Sequence, residues 1–206
     1  MEWRRVYVGI DDCPRCHGAA LDAAWYAYLF GLYLGDGCLA EHARGVFRLR
    51  IVLDERYLGI ISECATAIGS VRPSKRDRVT FTQNLGCIEV SAFWKHWPYL
   101  FPQHGRGPKH TRVIKLRAWQ QQIVHQYPDR LLRGLIHSDG WRGDNIVKGK
   151  PYPRYQFTNA SSDIRKIFCD ACDRFGVRWR RMNERNISIA RAPDVAKLDC
   201  VVGRKM

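Results

Sequence analysis

One nine-residue pattern occurs twice in this chain. Leu29-Phe30-Gly31-Leu32-Tyr33-Leu34-Gly35-Asp36-Gly37 returns as Leu132-Arg133-Gly134-Leu135-Ile136-His137-Ser138-Asp139-Gly140. Each copy is an apolar, helix-like run with glycine at its third position and Asp-Gly at its end. Asp36 and Asp139 lie half a chain length apart in a sequence of 206 residues. A chain that repeats an acid-ended helix at half its length reads as two similar halves placing two carboxylates at their junction.

The flanking pattern extends the repeat. Residues 22–35 predict a helix that is apolar nearly all round, with Asp22 as N-cap and Gly35-Asp36-Gly37 ending the run as a glycine C-cap. Residues 46–53 alternate, Arg48 and Arg50 on one face and Phe47, Leu49, Ile51 and Leu53 on the other. Residues 56–68 read as an amphipathic helix closed by Gly69. Segments 78–83 and 87–91 read as a hairpin across Asn84-Leu85-Gly86, with Val79, Phe81, Ile88 and Val90 inward. A helix over 116–126 is ended by Pro128. The second half repeats the order: helix 130–138, strands 141–147 and 152–158, helix 161–175 stopped by Gly176, strands 177–182 and 187–191, and helix 193–201. Both halves read αββαββα, an α+β fold divided into an N-terminal arm (1–21), a first half (22–127) and a second half (128–206).

These residues resemble the LAGLIDADG homing endonucleases. The Leu, Gly and terminal Asp-Gly positions of that motif match in both copies, and the likeness runs from residue 22 onward. It implies two pseudo-symmetric halves packed through the two motif helices, with antiparallel sheets forming a DNA-binding saddle. The implied activity is that of a single-chain, monomeric endonuclease cutting both strands of a long asymmetric target. A non-cleaving, sequence-specific regulator or splicing cofactor on the same fold is the alternative, but such proteins typically lose the two acids that this chain retains. The sixth motif position, often acidic in the family, is Leu34 in one copy and His137 in the other. His137 reads as a satisfied polar residue at the helix interface in preference to a proton shuttle. The resemblance also implies a basic, catalytic residue near each acid, met by Lys109 in Gly107-Pro108-Lys109 and Lys205 in Gly203-Arg204-Lys205. A polar residue closing the second strand of each half is met by Asn159 and, less closely, by Asp54.

Elementary physics supports the pairing. Gly31 and Gly35 lie one turn apart on one helix face, as do Gly134 and Ser138, and small residues at that spacing let two helix backbones approach closely. The acids at the helix ends then converge. Two carboxylates beside a phosphate backbone repel it unless divalent cations lie between them. Mg²⁺ is the hard, oxygen-seeking choice, with Mn²⁺ able to substitute and the carbonyls of Gly35 and Ser138 as further ligands. Metals there activate water and stabilise the leaving 3′ oxygen.

Charge points the same way. There are 34 Lys and Arg against 20 Asp and Glu, a formal net charge of +14 that draws the chain toward polyanions and double-stranded DNA above all. No long apolar run indicates a membrane partner, and no signal peptide is visible, so a cytoplasmic location is expected. A two-stranded ribbon fits the major groove, and the outward strand residues are Arg48 and Arg50; Arg78, Thr80 and Thr82; Arg154, Gln156 and Thr158; Arg178 and Arg180. None of these sets contains an acid. Asn159 joins them as a further DNA-contact candidate.

The eight cysteines are expected to be buried small hydrophobes or ligands in preference to disulfides. Cys13-Pro14-Arg15-Cys16-His17 matches the c-type haem attachment string, which requires an exported chain. As a zinc half-site it needs a partner pair, and the other Cys-x-x-Cys, Cys169 to Cys172, falls in a predicted helix as core. A structural zinc is therefore not expected. Trp94 and Trp97 read as core packing.

Overall fold

The computed structural model describes residues 13–72 and 79–203. Its first helix, α1 (Ala23–Asp36), starts where Asp22 Oδ1 accepts the Trp25 N–H at 3.0 Å. Every residue from Tyr26 to Leu34 is buried, as the all-round apolar pattern requires. There follow β1 (Gly37–His42), β2 (Val46–Asp54), α2 (Leu58–Val71), β3 (Thr80–Asn84), β4 (Cys87–Trp94) and the short helices α3 (Trp97–Leu100) and α4 (Ala118–Gln126). The second half comprises α5 (Pro128–Asp139), β5 (Gly140–Val147), β6 (Lys150–Thr158), α6 (Ser162–Phe175), β7 (Arg180–Arg181), β8 (Asn186–Ile189) and α7 (Ala192–Val202). The two antiparallel sheets have the orders β1-β2-β4-β3 and β5-β6-β8-β7, so the second half repeats the topology of the first.

The halves meet along α1 and α5, and glycine makes the meeting possible. A Cβ on Gly31 would lie 2.7 Å from Leu131 O and from Leu135 N. One on Gly134 would overlap Tyr28 O and lie 3.0 Å from Gly31 Cα. One turn further, Gly35 faces Ser138, whose Cβ a Gly35 side chain would meet at 2.5 Å. The pairing expected from the spacing is the pairing observed.

The glycine that ends each motif is the helix C-cap, as expected, its N–H donating to Tyr33 O in one copy and to Ile136 O in the other, but it is not left-handed. Gly37 (φ −95°, ψ 152°) and Gly140 (φ −97°, ψ 158°) are extended, a conformation open to any residue. Glycine is needed there because the emerging strand passes against its own helix. A Cβ would fall 2.6 Å from Tyr33 Cα in one copy and 2.6 Å from Ile136 Cα in the other.

Polar groups seal the edge of the helix pair. Arg133 on α5 reaches across to Glu63 on α2 with two hydrogen bonds of 2.7 Å, and also donates to the carbonyls of Val201 and Val202. His137 Nε2 lies 3.0 Å from Val202 O, and its Nδ1 2.9 Å from the Tyr28 hydroxyl. A carbonyl only accepts, so Nε2 carries a proton toward Val202 O, while Nδ1 and the Tyr28 hydroxyl share the second hydrogen bond, with Glu63 Oε2 3.9 Å from Nδ1. Burial raises the Tyr28 pKa, which keeps that hydroxyl protonated. His137 is the satisfied interface residue that the sequence implied.

Several local expectations change. β1 is a separate strand that the alternation did not locate. Gly69 lies inside α2, which continues to Val71. Pro128 opens α5 at its first turn, and Tyr127 alone separates α5 from α4. Phe81 is 56% exposed, because β3 is the edge strand and every one of its residues is exposed. The strand expected over 177–182 shortens to two residues, while Lys148 (φ 49°) and Gly149 (φ 76°) form a tight turn with two left-handed residues between β5 and β6. Trp94 and Trp97 are buried, as expected.

The helix contact makes a paired prediction. Gly134→Ala forces backbone against backbone and should lower stability by about 2–3 kcal/mol in denaturant unfolding. Gly69→Ala, in the same helical class but with open space around it, should raise stability by about 0.5–1 kcal/mol.

Candidate active site

Asp36 and Asp139 are the last residues of α1 and α5, so the glycine contact delivers them to one place. A Cβ on Gly35 would lie 2.9 Å from Asp139 Oδ2, which puts that carboxylate beside the last turn of α1. Reciprocally, Asp36 lines a cleft of about 320 Å³ with His137 and Ser138 from α5 and with Asp54 at the end of β2. Ser138 Oγ is turned back onto its own helix, donating to Gly134 O and Leu135 O at 3.1 Å each.

Lys109 enters from a short turn at Lys109–Thr111. Its ammonium donates to Gly35 O at 3.1 Å and Gly37 O at 2.5 Å, and lies 5.1 Å from the centre of the Tyr33 ring. Burial brings its pKa down to about 8, while Asp139 and then Asp36 pull it upward. It is therefore one cation close to both acids. Asn159 follows β6 and donates from Nδ2 to Asp139 Oδ2 at 2.6 Å, its own Oδ1 accepting the Ser161 N–H at 2.8 Å. The structure thus places Asn159 on the acid and not on a strand face. Asp54 binds the Arg56 guanidinium through both carboxylate oxygens. Lys205 lies outside the described residues.

The donor set at the helix ends consists of two carboxylates and the Gly35 carbonyl. These are hard oxygens of the kind that hold Mg²⁺ or Mn²⁺, so the residues fit a divalent cation. The Gly35 carbonyl is shared with Lys109.

Strand register fixes the open faces of the sheets. Arg48 and Arg50 pair across β4 with Phe93 and Ser91, and Val52 pairs with Glu89, so all share one face with Thr80 and Thr82. Glu89 is only 3% exposed and ion-pairs with both Arg48 and Arg50. The acid-free reading of this face is corrected. Ile88 and Val90 share the opposite face, so alternation places Glu89 on the same face as Arg48 and Arg50. Thr80 Oγ1 is 2.9 Å from Ser91 Oγ. Arg78 lies outside the described residues.

The second sheet differs. Arg154, Gln156 and Thr158 share their face with Trp141, Ser188, Asn186 and Arg180, and none of the paired positions on it is acidic. Trp141 lies flat along the sheet because Gly143 leaves room, and a Cβ there would overlap the indole. At one end a cleft of about 540 Å³ is lined by Arg154, Arg178, Arg180, Arg181 and Arg191. Sequence reasoning missed the last two, which follow no alternation. Arg178 itself is tied to Asp194 at 3.3 Å, which draws it off the strand face.

The two Cys-x-x-Cys pairs are not brought together. Cys169 and Cys172 are buried in α6, whereas Cys16 Sγ lies 3.5 Å from His96 Nδ1. Among the described residues no helix is long and apolar enough to cross a membrane.

No family model and no curated protein sequence matches the chain. Solved structures do. The homing endonuclease I-DmoI in complex with DNA and Mn is similar over 88% of this chain and 98% of its own, with TM-score 0.59 and 15% identity. The homing endonuclease I-WcaI bound to its DNA recognition sequence is similar over 89% of this chain and 82% of its own, with TM-score 0.56 and 17% identity. The N-terminal LAGLIDADG domain of WhiA is similar over 88% and 82%, with TM-score 0.50 and 14% identity. With its duplicated topology, glycine-packed helix pair and near-complete overlap with these structures, the chain has the LAGLIDADG fold.

Proposed function

We propose that this protein is a site-specific double-strand DNA endonuclease dependent on divalent metal ions, acting as a monomer on a long, asymmetric target. The observation that carries the reading is the meeting of Asp36 and Asp139 at the ends of two glycine-packed helices, beside Lys109. A chain using this fold only to bind DNA has no need of two acids at that point, where they oppose the approach of phosphate. The similarity to I-DmoI with DNA and Mn, and to I-WcaI on its recognition sequence, supports the same reading.

Asp36 and Asp139 would hold Mg²⁺, with Gly35 and Ser138 offering backbone carbonyls. Bound there, the metal supplies a more acidic water and charge for the leaving 3′ oxygen. Lys109 adds fixed positive charge where the scissile phosphate becomes more negative, in a site that burial has partly dried. Asn159 holds the Asp139 carboxylate in one orientation through its 2.6 Å hydrogen bond. Lys205 is the corresponding candidate in the second half. Arg154, Gln156, Thr158 and Arg180 would contact bases and phosphates from the second sheet, and Thr80, Arg48 and Arg50 from the first; Arg78 is a further candidate. Because the two faces carry different side chains, the target halves must differ.

The test is incubation with a randomised duplex library and Mg²⁺, followed by sequencing of cut ends. Asp36→Asn and Asp139→Asn should each lower cutting by about a thousandfold or more, as expected when several kcal/mol of charge stabilisation is lost, with binding largely intact. Tight binding without cutting in Mg²⁺ or Mn²⁺ would identify a regulator on the same fold.

Glu89 provides a second measurement. Glu89→Gln removes the shared counter-charge of Arg48 and Arg50. Binding to non-specific duplex should tighten, and the slope of log K against log salt should steepen by roughly 1–2, since each phosphate neutralised contributes about 0.9. An unchanged slope would mean that these arginines do not reach the backbone.

A further inference from the structure

The sequence offered only Cys169 and Cys172 as partners for Cys13 and Cys16, and the fold offers a different one. Cys13, Cys16 and His96 converge, with the two sulfurs and one imidazole nitrogen all within 4.8 Å of one another. His96 lies between β4 and α3, eighty residues from Cys16 in sequence. Cys13 is fully buried and His96 is 8% exposed. The turn that carries the cysteines is closed by the His17 N–H donating to Cys13 O at 2.9 Å.

We infer that Cys13, Cys16 and His96 form a structural zinc site that fastens the N-terminal arm to the first half. The donors are two thiols and an imidazole, the soft and borderline set that zinc prefers, and the Cys-x-x-Cys spacing is that of a zinc half-site. The dimensions agree. Two ligands about 2.1 and 2.3 Å from a tetrahedral zinc stand roughly 3.6 Å apart, against 3.5 Å between Cys16 Sγ and His96 Nδ1. The remaining separations, up to 4.8 Å, need only side-chain adjustment as the thiols lose their protons to the metal. The fourth position belongs to water or to His17, an exposed residue whose ring centre lies 5.8 Å from that of His96.

The surroundings show what such a site would secure. From the same turn Arg15 lies over the Trp119 ring of α4 at 4.6 Å, and Trp119 packs on Tyr26 of α1 at 5.3 Å. Tyr26 in turn donates to Leu100 O of α3 at 2.6 Å. Zinc would close a long loop against the two short helices that wall α1, where cross-linking distant segments removes much freedom from the unfolded chain. The site shares no ligand with Asp36 or Asp139, so it stands whether or not the protein cuts DNA.

The test is metal analysis of the full chain purified under reducing conditions and reconstituted with zinc, then with Co²⁺ in its place. The expected result is one tightly held zinc per chain and a Co²⁺ spectrum with the intense d–d bands of tetrahedral geometry and sulfur-to-cobalt charge transfer. Cys13→Ser, Cys16→Ser and His96→Ala should each weaken zinc binding on the order of 100-fold or more, given that even outer-shell partners cost roughly 10–100-fold. Cys172→Ser and Asp36→Asn should leave it unchanged. Failure of the wild-type chain to retain zinc or to give the thiolate–cobalt spectrum would overturn the inference, a result independent of whether any variant folds. Zinc retained in the Cys13→Ser/Cys16→Ser double variant would overturn it equally.

Discussion

The contact between the backbones of α1 and α5 is the constraint on which the rest depends. At Gly31 and Gly134 neither helix has room for a single Cβ, so the interface is backbone on backbone. Closeness there determines how near the helix ends come, and the helix ends carry the acids. The same economy of space operates one step later, where Gly37 and Gly140 let each strand leave directly along its own helix. Position and direction are thus fixed together: one glycine pair brings the halves into register, and a second pair launches the sheets from that register.

Duplicated topology does not bring duplicated chemistry. The first half contributes Lys109 to the site, bound to two carbonyls of the first motif, and the second contributes Asn159, bound to the second acid. The sheets diverge further. Glu89 gathers Arg48 and Arg50 in the first, whereas the paired positions on the open face of the second include no carboxylate, and its cleft of five arginines has Arg178 and Arg191 paired with Asp194. Charges already paired within the protein project less field into solvent, so Arg48 and Arg50 attract a polyanion less than their number suggests. Net charge alone does not reveal this division.

How much of this the sequence made legible follows from the range of each signal. The helix pair was readable because two local patterns, all-round apolarity and small residues at i and i+4, state burial and close approach without knowledge of the partner. Asp139 could be matched to Asp36 for the same reason. Lys109 carries no local pattern, and only the family resemblance singled it out; its place on the carbonyls of Gly35 and Gly37 depends on a loop folding back to the end of α1. Phe81 was misassigned because alternation gives the parity of a strand and not whether anything covers its face. Gly37 is the C-cap that the sequence indicates, but a required glycine looks the same in sequence whether it relieves a dihedral or a contact, so the contact was not legible. His96 gave no hint of joining Cys13 and Cys16, because metal spacing rules see only neighbours in sequence.

Glycine packing has one weakness as a device for positioning acids. Flat backbone surfaces slide, since they lack the interlocking side chains that resist a shift in register. The polar groups at the edge of the pair supply what the glycines lack. A slip of α5 along α1 would part His137 from Tyr28 and separate Arg133 from Glu63, which is only 16% exposed as a side chain. Stranding buried charges and polar atoms costs about 3–5 kcal/mol for an ion pair and about 1–3 kcal/mol for a neutral group. His137 stands at the motif position that in the family is often acidic, two residues before Asp139. There it ties α5 to Tyr28 on α1 and to the end of α7 through one imidazole. His137 therefore helps to hold in register the two helices that end in Asp36 and Asp139.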